Sequence, residues 1–191
     1  MRVVARHKPS PLSRERERGA SPALAYPIGV FDSGAGGLSI AAAIRAALPT
    51  HPILYYADSA YAPYGDRPDQ EIVERTESAC RWLLARDVAA IVIACNTATA
   101  VAIDQVRTWS PVPVIGVEPG LKPAAGVTRN GSVGVLATAA TLASRRYREL
   151  AARVAATAPR VRWIAHAARD WVELVEAGDL ASEHAHARVA A

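Results

Sequence analysis

The run Ala89-Ala90-Ile91-Val92-Ile93-Ala94 is the most apolar stretch of the chain; it ends on Cys95 and leads through Asn96-Thr97 into a helix-forming segment, Ala98 to Val106. A short segment that is apolar on both faces belongs inside a parallel sheet, where helices cover both sides. The rest of the chain repeats the same unit. Strand-like runs Ile28 to Phe31, Pro52 to Tyr56, Val112 to Val117, Ser132 to Leu136 and Val161 to Ala165 alternate with helix-like runs Leu38 to Ala47, Glu71 to Ala85, Leu121 to Val127, Thr141 to Val154 and Trp171 to Ala177. In Glu71 to Ala85 the apolar positions Ile72, Val73, Cys80, Leu83 and Leu84 recur at helical spacing. Repeated βα units imply parallel sheets with right-handed crossovers, and Pro119-Gly120 interrupts the alternation where a domain boundary is expected.

Composition excludes several classes. A chain of 191 residues can build one sizeable core or two small domains that share an interface. No apolar run approaches the roughly 20 residues that span a bilayer. Cys80 and Cys95 form neither a disulfide framework nor a metal spacing, and no secretory segment precedes them, so a reducing cytoplasm is the expected compartment. His166, His184 and His186 likewise lack the spacing of a metal site, and no metal is expected. The formal charge of +4 is concentrated in the first twenty residues, and from residue 21 onward basic and acidic residues balance. A neutral body gives little support to a nucleic-acid partner, and residues 1–26 read as a disordered basic extension.

Ligands of open α/β folds bind at the carboxyl ends of the strands, which is where Cys95 lies. The amide groups and dipole of the following helix would favour thiolate there, the form that acts as base or nucleophile. A buried cysteine behaving as a small hydrophobe is the competing reading. Asp32-Ser33-Gly34-Ala35-Gly36-Gly37 follows the first strand; its glycines allow close backbone approach, but the spacing departs from G-x-G-x-x-G. Moreover, a carboxylate at Asp32 opposes a pyrophosphate, so a carboxylate-bearing small ligand fits better than a nucleotide. The loop from Ala57 to Pro68 follows the second strand and reaches the same sheet edge, so the three segments can converge on one crevice. Glu118 ends the fourth strand, where it can face the crevice but is expected to be structural, Cys80 falls on the buried face of its helix, and Glu176 lies near a helix end where solvated glutamates are common.

Together these residues resemble the glutamate racemases of the cofactor-independent amino-acid racemase superfamily. The resemblance rests on Ile28 to Gly37, Tyr61-Ala62-Pro63-Tyr64-Gly65, Ala94-Cys95-Asn96-Thr97-Ala98, Val114 to Pro119 and Gly134-Val135-Leu136-Ala137-Thr138, in the family's order. It implies an α/β architecture of two Rossmann-like, flavodoxin-like parallel-sheet domains facing a cleft, residues 27–119 and 120–191, the second incomplete. It also implies interconversion of L- and D-glutamate without a cofactor, supplying D-glutamate for peptidoglycan. One thiol takes the α-hydrogen and another on the opposite face returns a proton. Cys95 matches the first thiol and Asp32 the carboxylate beside it. Ser33, Tyr64, Gly65, Asn96 and Thr97 match positions that bind substrate, Asp32 among them, and Glu176 resembles the acid associated with the second cysteine. A homodimer is compatible with the family.

One departure matters. The family's second cysteine lies in a Cys-Thr-His motif that should follow Glu176, and residues 177–191 contain none. A single thiol exchanges a proton on one face and does not invert the centre. The alternative expectation is therefore an inactive fragment or pseudoenzyme that keeps an amino-acid or partner-binding surface. A relative acting on aspartate or a hydantoin is a third reading, against which the Asp-Ser-Gly-Ala-Gly-Gly and Ala-Pro-Tyr-Gly segments favour glutamate.

Overall fold

The computed structural model describes residues 26–168 and 170–190, and the basic extension expected over residues 1–26 lies almost wholly outside them. Four parallel strands, β1 (Ile28–Asp32), β2 (Ile53–Ala57), β3 (Ala90–Ile93) and β4 (Val114–Gly116), form one sheet in the order β2-β1-β3-β4. Ile28 pairs with Ile53 on one side and Ala90 on the other, so β1 and β3 run side by side at the centre. Their apolar content follows from that position: Val30, Phe31, Ile91 and Ile93 are all buried.

Helices α1 (Leu38–Ala47), α2 (Asp69–Leu84) and α3 (Asn96–Trp109) complete the βα units. Ile40 and Ile44 of α1 pack with Val30 and Val92 on one face of the sheet. On the other face Ile72, Leu83 and Cys80 of α2 and Ile103 and Val106 of α3 join Phe31, Ile91 and Ile93 in the main core. The sheet is thus covered on both sides, as its continuous apolar runs require.

A second, smaller sheet pairs β5 (Ser132–Ala137) with β6 (Arg162–Ala167) in parallel, from Ser132 opposite Arg162 to Ala137 opposite Ala167. Helix α4 (Leu121–Val127) precedes it, and α5 (Ala139–Ala143) and α6 (Arg145–Thr157) form the crossover. Leu121, Val135, Leu150 and Val154 make a separate small core. The helix expected from Thr141 to Val154 is instead two helices. Ser144 between them is extended, and its Oγ accepts from the Tyr147 amide at 3.1 Å as the N-cap of α6. Two short helices, α7 (Trp171–Glu176) and α8 (Glu183–Ala190), close the described chain. The second of these carries no strong sequence pattern and was not expected.

Candidate active site

In the order β2-β1-β3-β4 the chain turns from one side of β1 to the other, so the crevice at the carboxyl ends of β1 and β3 is a topological switch point. Asp32 is the last residue of β1 and Cys95 follows β3 by two residues. Both face a cleft of about 770 Å³ that opens between the two sheets and is also lined by Ser33, Tyr64, Gly65, Asn96, Thr97 and Glu176. Every site residue expected from the sequence therefore reaches one cleft.

Cys95 is the N-cap of α3: its backbone is extended and its Sγ accepts from the Ala98 amide at 3.4 Å. Ser33 Oγ lies 3.5 Å from the same sulfur. The sulfur is nonetheless almost completely buried. Burial pushes the Cys95 thiol up, the negative charge of Asp32 pushes it further, and the hydrogen bonds from Ser33, Ala98 and Thr97 offset this only in part. The helix terminus does favour thiolate, through the amides of Ala98 and Thr97, but burial and Asp32 outweigh it. Desolvation of a charge outweighs two or three hydrogen bonds here, and the resting form is the neutral thiol.

Asp32 is buried, and its Oδ2 accepts from the amides of Gly34 at 3.1 Å and Gly37 at 3.0 Å. The chain's own carboxylate occupies the position at the start of α1 that a phosphate would need, which removes the nucleotide reading. The glycines serve internal packing as well as access. A Cβ at Gly37 would lie 2.7 Å from Asp32 Cβ and 2.9 Å from both Ala94 Cβ and the Tyr55 hydroxyl, while one at Gly34 would collide with the Glu176 carboxylate. Tyr55, unnoticed in the sequence, donates from its hydroxyl to the Gly34 carbonyl at 3.0 Å. Burial, then the charges of Asp32 and Glu176, raise its phenol well above the usual range, so it remains a donor.

The Tyr64 hydroxyl points away from the cleft. It donates to Asp58 Oδ2 at 2.7 Å, so only the backbone and ring of Tyr64 are free to meet a ligand. Gly65 turns its Cα toward the second sheet, where a Cβ would lie 2.9 Å from Thr138 Cγ2. Thr97, buried in the first turn of α3, has its Oγ1 2.9 Å from Thr138 Oγ1 and 3.5 Å from Thr141 Oγ1, and Thr138 Oγ1 donates to Thr141 Oγ1 at 2.9 Å. Thr138 and Thr141 are polar groups of the cleft that the sequence reading did not single out. Thr138 follows β5 as Cys95 follows β3, so the strand-end rule would have found it. Asn96 is exposed on the cleft wall. Glu176 ends α7, and its Oε1 accepts from the Ala35 amide at 3.2 Å, bridging the cleft to the turn after β1.

Glu118 lies in the loop beyond β4 rather than at its end, exposed and 3.5 Å from Arg146 Nη2. Cys80 is fully buried in the main core. Among the described residues no group of three His, Cys, Asp or Glu is placed to hold a metal ion.

A sequence model of the Asp/Glu/hydantoin racemases matches residues 38–191. The glutamate racemase of Methylococcus capsulatus is 53% identical over 157 residues, 82% of this chain and 57% of the relative. That of Cupriavidus pinatubonensis is 53% identical over 154 residues, covering 81% and 56% of the two chains. The present chain thus spans little more than half the length of these relatives. Among solved structures, Escherichia coli glutamate racemase in complex with L-glutamate and the activator UDP-MurNAc-Ala superposes with a TM-score of 0.73 at 38% identity, over 81% of this chain and 57% of that one. Francisella tularensis glutamate racemase in complex with D-glutamate gives 0.69 at 33% identity, over 85% and 60%. With its strand-end thiol, its buried carboxylate neighbour and these matches taken together, the chain belongs to the Asp/Glu/hydantoin racemase family.

Proposed function

We propose that this chain carries a glutamate site of a cofactor-independent racemase, in which Cys95 exchanges the α-proton on one face of the substrate. The observation that carries the reading is the pairing of a buried thiol with Asp32 at the switch-point cleft, with Ser33 Oγ 3.5 Å from the sulfur. The resting thiol is neutral, and bound substrate changes its surroundings. An α-ammonium group placed beside Asp32 offsets the charge that raises the thiol, and Asp32 is the adjacent acceptor for the thiol proton. The thiolate so formed takes the α-hydrogen while the amides and hydroxyls of Ser33, Gly65, Asn96 and Thr97 hold the polar ends of the amino acid. Glu176 is assigned to the same machinery as the acid of the opposite wall.

Inversion needs a donor on the opposite face of the α-carbon. Cys80, the other cysteine of the sequence, is buried in the core, so it is not that donor. The alternative to racemisation is amino-acid binding with one-face exchange and no inversion. In the first reading the product is D-glutamate for peptidoglycan, made in the cytoplasm. Both free cysteines fit that compartment, and no helix among the described residues is long and apolar enough to cross a membrane. A homodimer is part of the proposal on family grounds alone.

The test is α-deuteration of L-glutamate in D2O, followed by NMR, with D-glutamate measured separately. Wild type should deuterate the α-carbon and Cys95→Ala should not. Accumulation of D-glutamate selects racemisation, deuterated L-glutamate alone selects one-face exchange, and no deuteration by wild type rejects both.

A further inference from the structure

Asp58 follows β2 and takes no direct part in the cleft, yet it joins the two segments that form one wall. Its amide donates to the Asp32 carbonyl at 3.0 Å, tying it to the end of β1. Its side chain, 4% exposed, accepts from the Tyr64 hydroxyl at 2.7 Å and from Arg75 Nε at 2.8 Å through Oδ2, and from Arg75 Nη2 through Oδ1. Arg75 is held in turn: its guanidinium carbon lies 3.6 Å from the centre of the Tyr61 ring, and Arg67 Nε donates to the Tyr61 carbonyl at 2.6 Å. The loop carrying Gly65 is gripped at Tyr61 and at Tyr64.

A bidentate arginine pair fixes a carboxylate in direction as well as in place. The Tyr64 hydroxyl therefore meets an acceptor that cannot rotate away, and Gly65, one residue further, is set against Thr138 on the other side of the cleft. We propose that Asp58 is the positioning residue of the substrate-binding wall, setting through Tyr64 the position of the Gly65 backbone that meets the amino acid. The inference rests on the glutamate reading of the cleft and deepens it. It assigns Asp58 to binding and not to proton transfer, because its carboxylate is spent on Arg75 and Tyr64 while the reacting sulfur has its own partner in Asp32.

The experiment measures KM and kcat for α-deuteration of L-glutamate, together with thermal unfolding, for wild type, Asp58→Asn, Tyr64→Phe and the double variant. Asp58→Asn should raise KM about tenfold while kcat stays within about twofold, since one charged acceptor has been weakened at the wall and the thiol is untouched. Tyr64→Phe, a milder change that keeps the ring packing, should raise KM in the same sense. The double variant should be no worse than Asp58→Asn, because the two act through one hydrogen bond. A folded Asp58→Asn or Tyr64→Phe protein with unchanged KM overturns the proposal while the glutamate reading stands, as does an additive double variant or a fall in kcat at constant KM. A wild-type protein that neither binds nor deuterates glutamate overturns the reading itself, and the proposal falls with it.

Discussion

Cys95 illustrates how one residue's position and its ionisation come from different sources. Its place at a strand end was legible in the sequence because an apolar run followed directly by a helix has few other placements. The state of its thiol was not legible. That depends on how completely neighbours exclude water and on the distance to Asp32, neither of which sequence spacing records. The folded thiol titrates above its unfolded value of about 8.5, so this group's contribution to stability is complete below that pH and is lost as pH rises above it. Alkylation of native protein by iodoacetamide should therefore be slow at pH 7 and accelerate in the alkaline range at Cys95, read by peptide mass. Cys80, pushed up to about 12 by burial, should stay unlabelled throughout. Fast labelling of Cys95 at pH 7 would contradict the assignment of a neutral resting thiol. Tyr55 could not have been singled out from sequence either, since its partner is a backbone carbonyl on a neighbouring strand's turn. Tyr55→Phe should cost about 1 kcal/mol in urea unfolding by leaving the Gly34 carbonyl without its donor.

At the scale of elements, the hydrophobic period located every strand to within about two residues and the helices of the first sheet nearly as well. It failed at Ser144. Apolar spacing continues across α5 and α6, so the period alone reads one helix, while the capping signal of a serine ahead of Arg145-Arg146-Tyr147 was the competing cue. Ser144→Ala should destabilise the protein by about 1 kcal/mol in urea unfolding, and an unchanged midpoint would mean the cap contributes nothing. Asp58 joins elements rather than belonging to one. Burial would push its carboxyl up, but hydrogen bonds from Arg75 and Tyr64 and the charge of Arg75 outweigh that and hold it below the usual carboxylate range. Stability from this group is thus complete above the unfolded value of about 3.9 and lost as pH falls through the folded one. The stability gap between wild type and Asp58→Asn should be constant from neutral pH to about 5 and shrink only in stronger acid.

Across the whole molecule, the two sheets are unequal. The first is covered on both faces and supplies Asp32 and Cys95; the second has two strands, and Leu136 and Ile164 on it are about half exposed, at 59% and 49%. Leu136 lines the cleft, whereas Ile164 does not, and an apolar side chain exposed on an edge strand promotes association, so sedimentation should show a mass that rises with concentration and Ile164→Thr should suppress the rise. The strand-end rule brings Asp32, Ser33, Tyr64, Gly65, Cys95, Asn96 and Thr97 to one edge, because in a parallel sheet that edge is common to every strand. What it does not specify is how the far wall faces that edge: Thr138 follows β5, Thr141 lies in α5 and Glu176 ends α7, and no local pattern sets the orientation of the second sheet that carries them. The proposed chemistry requires the Cys95 sulfur to open onto an amino-acid cleft beside Asp32. The most direct measurement is the rate of Cys95 alkylation at alkaline pH with and without L-glutamate. Saturable slowing by glutamate is predicted, and a labelling rate indifferent to saturating glutamate would contradict it.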